Sequence, residues 1–180
     1  MIHSAETCVE QTARWVREFV IKLNLCPFAK REMDRGSVRI QASHAETVED
    51  AMTELMLEID ALNVNSSIET TLLVFPSFLS DFFDYLDFVD LAEKILHHNG
   101  YEGIYQLATF HPNYCFADEN PDDVTHHTNR SPFPMLHLLR EEHIEKAIEY
   151  YGDTEKIPEN NMACLRQLGL ENVKKISGCK

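Results

Sequence analysis

The stretch SIETTLLVFP is β-branched and apolar over residues 68–75, with the turn cluster NVNSS before it and a proline closing it. Such a run reads as a buried strand. The segments on either side carry a different period. Val48, Met52, Leu55, Ile59 and Leu62 form a one-face helical stripe, opened by the capping box SHAE at Ser43–Glu46. Phe82, Tyr85, Val89, Ala92 and Leu96 form a second stripe over residues 81–98, stopped by Asn99–Gly100. A buried strand between two amphipathic helices constrains the chain to layers of helix on sheet.

The rest of the pattern extends this reading. SVRIQA alternates Val38, Ile40 and Ala42 as a short strand does, and GIYQLATFHP gives a third strand over 104–110. Cys8, Thr12, Trp15, Val16, Phe19, Val20 and Leu23 recur at helical spacing over 4–24, with Ser4 as N-cap and Pro27 ending the helix near Leu25. KREMDRG reads as a polar turn. A helix is expected over 132–151, with Ser131 as N-cap and Pro132 at its first position. A short helix fits 158–168, stopped by Gly169, and the residues after it read as a frayed end. The order α, β, α, β, α, β, α, α implies one α/β domain over 1–180: a layered domain with a mainly parallel sheet of at least three strands, flanked by helices. A ferredoxin-like α+β arrangement is the alternative, with a further strand in 115–130 or 152–157. No repeat, low-complexity tract or linker divides the chain.

Sixteen Lys and Arg against 30 Asp and Glu leave a formal net charge of −14. Such a surface repels nucleic-acid phosphates and anionic lipid, so neither is expected as a partner. No apolar run approaches the roughly 20 residues of a bilayer span. The start, MIHSAETCVEQTARW, lacks the basic-then-apolar order of a secretory signal, and a cytoplasmic location is expected. The five cysteines, Cys8, Cys26, Cys115, Cys164 and Cys179, include no CxxC pair and read as reduced thiols.

The stretch THHTNRSPFPMLHLLREE carries the densest set of chemically useful residues. On a helical wheel with Phe133 at 0°, Ile144, Ala147, Ile148 and Tyr151 mark the packing face, and His137 at about 40° and Arg140 at about 340° fall on it. A buried arginine must meet a carboxylate, carbonyls or a bound anion. Free N–H groups at the expected helix start attract anions as well. Asn129, Arg130, Ser131, His137 and Arg140 are therefore expected around one anionic small molecule, a phosphate or a carboxylate. The structural alternative is an internal ion pair of Arg140 with loop acids, and a carbonyl partner for His137.

His111 ends the third strand, followed by Pro112, Asn113 and Tyr114, at the carboxyl edge where open α/β sheets bind ligands. It is the first candidate for general acid–base work and His137 the second, with Asn113 counted among the ligand contacts. Cys26, in CPFAKR, is a candidate nucleophile. Lys30 and Arg31 can lower its pKa, whereas its place at the end of the first helix gives it no helix N-terminus; a buried, inert thiol is the alternative. His111, His126, His127, His137, Asp118, Asp122 and Asp123 have metal-ligand chemistry, but no HExxH or His-x-His spacing occurs, so no metal and no cofactor is assigned. GxGxxG, GxxxxGK[ST] and GxSxG are all missing, which leaves Rossmann, P-loop and α/β-hydrolase readings without their signatures.

LCPFA (Leu25–Ala29), FHP (Phe110–Pro112) and TNRSPFPMLHLLRE (Thr128–Glu141) resemble a bacterial family catalogued as domain of unknown function 1415. The resemblance covers nearly the whole chain. It implies a compact single-domain bacterial protein of about this length, and it assigns no activity, cofactor or catalytic residue. Two function classes follow from the residues. One is an enzyme acting on an anionic metabolite, with His111 or His137 moving protons and Arg130 and Arg140 as clamps. The other is a non-catalytic binding or adaptor protein in which the Arg/His cluster is structural.

Overall fold

The computed structural model describes residues 5–117, 119–151 and 154–179. The stretch 70–74 is a strand with every residue buried, as its composition demands. It is strand β2 (Thr70–Val74) and it pairs in parallel with β1 (Val38–Ala42). The crossover between them is α3 (Val48–Val64), and α4 (Phe82–His98) leads on to β3 (Tyr105–Phe110). The caps explain where these helices start. Thr47 caps α3 by accepting the Asp50 N–H, so the SHAE box goes unused, and Ser43 Oγ accepts the Ala45 N–H instead. Asp81 caps α4 by accepting from Phe83 and Asp84.

The largest departure from expectation lies at residues 135–140. MLHLLR is not helical: it is strand β4 (Met135–Arg140), and helix α5 (Glu141–Tyr151) begins only after it. β4 runs antiparallel between β2 and β3, giving the order β1-β2-β4-β3. The sheet is therefore mixed, with two of its three pairings antiparallel, and a mainly parallel sheet is not what forms. Nor does the chain follow the βαββαβ order of a ferredoxin-like fold, since the described elements run βαβαββ. Residues 124–128, in one of the stretches considered for a further strand, form a 3-10 turn. A strand paired on both sides and covered on both faces is apolar nearly all round, which a short segment shares with the start of a buried helix.

Two segments expected to lack structure are helices. KREMDRG lies within α2 (Ala29–Arg35) and its stop, where Gly36 takes a left-handed φ of 69°. The C-terminal stretch holds α7 (Leu170–Ser177), anchored by fully buried Val173, after α6 (Ile157–Leu168). The first helix, α1 (Ala5–Trp15), passes into a π-helical segment at Val16–Ile21. The expected cap Ser4 lies outside the described residues. Among these residues no helix is long and apolar enough to cross a membrane.

Alternation along the strands divides the apolar residues between two cores. Leu73, Leu136 and Leu138 face α3 and α4. Leu72, Val74 and Met135 face the other way, toward α1, the π segment, α6 and α7. His137 pairs with Leu72 and shares this second face, whereas Arg140, three residues on, points to the first. The expected common face for His137 and Arg140 thus disappears with the helix. Arg140 donates from Nη2 to Leu62 O (2.5 Å) and Ile68 O (3.1 Å), and from Nη1 to the Tyr105 hydroxyl (3.3 Å). It binds the end of α3 and the approach to β2 to the end of β4, through carbonyls.

Arg140→Ala removes the donors for two carbonyls and should cost about 2–3 kcal/mol. Urea unfolding should show a lower midpoint that added phosphate does not restore.

Candidate functional site

The second face of the sheet does not close completely against its helices. A cavity of about 540 Å³ lies over Val38, Thr70, Leu72, His137 and Leu139. Its other walls are Trp15, Val16 and Val20 from α1 and the π segment, and Leu25, Cys26, Phe28 and Met33 from the chain around α2. The volume is in the range of small-molecule pockets, and the lining is mostly apolar with a few polar groups, as such pockets are. The π segment helps to shape it. Its wider winding appears in the bond from Leu25 N–H to Val20 O (2.8 Å), which spans five residues. π-helical turns are rare and concentrate at functional sites.

His137 occupies the floor. Its Nε2 lies 2.7 Å from Thr70 Oγ1, and the Thr70 hydroxyl donates to Leu138 O, so it accepts from Nε2–H. Nδ1 has no partner among the described residues. Burial lowers the His137 pKa to about 4, so the ring is neutral near pH 7.

A second histidine lines the same cavity from the first turn of α5: His143, whose Nδ1 meets the Glu69 carboxylate. Consecutive residues at the start of β2, Glu69 and Thr70, thus each hold one histidine. The mouth carries half-exposed Arg31 and Arg35, both beside Glu32, at 3.3 and 3.7 Å.

Cys26 also lines the cavity. Its thiol receives the backbone N–H groups of Phe28 and Ala29 at the start of α2, so the expectation that no helix start lies near it is corrected. Burial outweighs those two bonds and raises its pKa above the ordinary thiol value. Lys30 is paired with Asp34 at 2.6 Å, and Arg31 with Glu32, rather than with the thiol.

The other expected residues lie elsewhere. His111 is fully buried; its Nε2 donates to Leu79 O (3.1 Å) and its Nδ1 accepts the Asn113 N–H (3.0 Å). Burial lowers its pKa. Both ring nitrogens are thus occupied within the protein, and Asn113 contributes its backbone to that arrangement. FHP and TNR do meet at one edge: His111 N–H donates to Asn129 O, and Asn129 Nδ2 to Thr109 O (both 3.1 Å). Arg130 donates to Tyr114 O (3.0 Å) and Pro121 O (3.5 Å), and approaches His127 Nε2 at 3.4 Å. The Ser131 hydroxyl donates to Phe133 O (2.6 Å) and caps no helix.

Arg130 precedes β4 and Arg140 ends it, a separation of roughly 20 Å for six strand residues. The expected convergence of Asn129, Arg130, Ser131, His137 and Arg140 on one anion does not occur. Of this set, His137 and Arg140 line the cavity, and the Arg140 guanidinium is already bound to carbonyls. Among the described residues no three His, Cys, Asp or Glu are grouped to hold a metal, and Asp118 lies outside them. His126 is enclosed by its own loop: Nδ1 accepts the Phe116 N–H, and Nε2 donates to Asn120 O.

Glu69, Thr70 and His143 were not singled out by sequence, because what joins them to His137 is strand pairing and a contact across 74 residues. The chain belongs to the family described as "Protein of unknown function (DUF1415)", whose model matches residues 7–175 of its 180. No curated protein and no solved structure matches it.

Buried neutral histidines give a signed pH dependence. The pKa of His127, like that of His137, is lowered to about 4, by burial first and then by Arg130, Lys174 and His126. The unfolded chain binds these protons near pH 6.5 and the native chain does not, so stability falls as pH drops from about 6.5 to about 4. Each histidine should account for roughly 3 kcal/mol over that window. Urea midpoints measured from pH 7.5 down to 4.5 should fall steeply, and the slope should flatten in His127→Gln and in His137→Gln. An unchanged slope in both variants would refute the assignment.

Proposed function

We propose that this family member binds a small organic molecule with an apolar body and one acidic group in the cavity over β2 and β4. The observation that carries this reading is the unpartnered Nδ1 of His137 on the floor of an otherwise apolar cavity. Leaving a buried polar atom without a partner is costly, and a ligand group removes that cost. Arg31 and Arg35 at the mouth support an acidic substituent, and they take over the anion-binding role that sequence gave to Arg130 and Arg140. Of the two histidines expected to move protons, His137 supports that role better than His111, whose ring nitrogens are both occupied. The apolar lining favours a weak organic acid over phosphate, whose desolvation is far more costly.

A second reading has its own support. Arg130 and Arg140 both act as structural donors to carbonyls, which fits a binding protein with no catalytic step.

Trp15 is the chain's only tryptophan and it lines the cavity, so its emission reports occupancy directly. Titration with aromatic and aliphatic carboxylic acids, phenols and matched neutral compounds should give a saturable change for some acids and none for inorganic phosphate. His137→Leu should weaken the best ligand about tenfold, the equivalent of about 1.4 kcal/mol. A flat response to every compound, or equal affinity in His137→Leu, would sink the reading.

A further inference from the structure

The two histidines of the cavity differ in how they are held. His137 is held by a hydroxyl, Thr70 Oγ1, which lies within reach of both His137 Nε2 and Leu138 O. Rotation of that hydroxyl allows Nδ1 of His137 to present either a lone pair or a proton to a ligand. His143 is held by a carboxylate. With Nδ1–H donated to Glu69, its Nε2 is left with a lone pair and no partner among the described residues. A carboxylate behind an imidazole fixes its tautomer and stabilises the imidazolium formed when the far nitrogen takes a proton.

The other charged groups lining the cavity are Arg31, Glu32, Arg35 and Arg140, whose balance is positive by two. That balance favours a ligand that becomes an anion inside.

Resting on the cavity reading above, we propose that the Glu69–His143 pair is the proton acceptor of this site. The ligand class is then weakly acidic O–H compounds with an apolar body, phenols or enols, bound as their anions. The O–H bond breaks, the proton passes to Nε2 of His143, and the electron pair stays on the ligand oxygen. The resulting imidazolium keeps its Nδ1–H bond to Glu69. His137 turns its Nδ1–H toward the new anion, with Thr70 donating to Nε2. No further reactant is needed, and the proton returns when the ligand leaves.

The test uses 4-nitrophenol, whose anion is yellow, with Trp15 emission as a separate measure of binding. In the native protein the bound compound should ionise about one pH unit below its free midpoint, a tenfold shift in its ionisation constant. His143→Gln should still change Trp15 emission on binding, while the ionisation midpoint of the bound compound returns to its free value. Glu69→Gln should give an intermediate midpoint. A pair that only joins α5 to β2 would leave the bound spectrum unchanged in all three proteins, and that result overturns the proposal while leaving the cavity reading intact. A lack of any Trp15 response to 4-nitrophenol also overturns it, whereas the cavity reading falls only when the whole panel of acids fails.

Discussion

Strand β4 is fastened at both ends by side chains that belong to other elements. At its start, the buried Tyr85 hydroxyl of α4 donates to Met135 O (2.8 Å) and accepts the Phe110 N–H (3.1 Å) at the end of β3. At its end, Arg140 binds Leu62 O and Ile68 O. These fastenings matter because β4 fills the gap between β2 and β3, which run in the same direction and do not touch. Without it the sheet falls into β1-β2 and a solitary β3. Placing β4 there fixes which of its residues face which core, and so puts His137 under the cavity and Arg140 away from it.

The motif residues that stand out in the sequence are largely the means by which the chain reaches that placement. The segment from His111 to Pro134 must leave the end of β3 and come back beside it. His111 holds the loop to Leu79, Asn129 holds it to Thr109, and Arg130 organises it through the carbonyls of Tyr114 and Pro121. Each bond satisfies a backbone group that water cannot reach easily. The two arginines therefore follow a common logic at opposite edges of the sheet: a charged side chain with several donors gathers carbonyls from separate segments.

Much of the fold was legible because long periodic stripes and a fully apolar strand leave little choice. The helices at 48–64 and 82–98 and the first three strands follow from spacing and composition alone. β4 did not, since a six-residue apolar run carries no usable period. The wheel that placed His137 and Arg140 together drew its direction from Ile144 and Ile148, which belong to α5, and so joined two elements into one. The need of Arg140 for carbonyls was legible from its apolar neighbours, whereas the choice of carbonyl was not. For the cavity, Cys26 and His137 were among the residues expected at a site. Glu69 and His143 were not, because their pairing exists only once β2 and α5 have been brought together by the sheet.

The π-helical winding of Val16–Ile21 makes one wall of the cavity depend on chain length. An α-helix covering the same path uses one residue fewer. Losing one residue there would let the segment rewind and would turn everything after it by about 100° about the helix axis. Val20 would leave the wall, and the turn that delivers Leu25 and Cys26 would start from a different angle. Substitutions along Val16–Ile21 that keep an apolar side chain change the wall only locally, so relatives that share the cavity should vary there in residue type and hold the number of residues fixed.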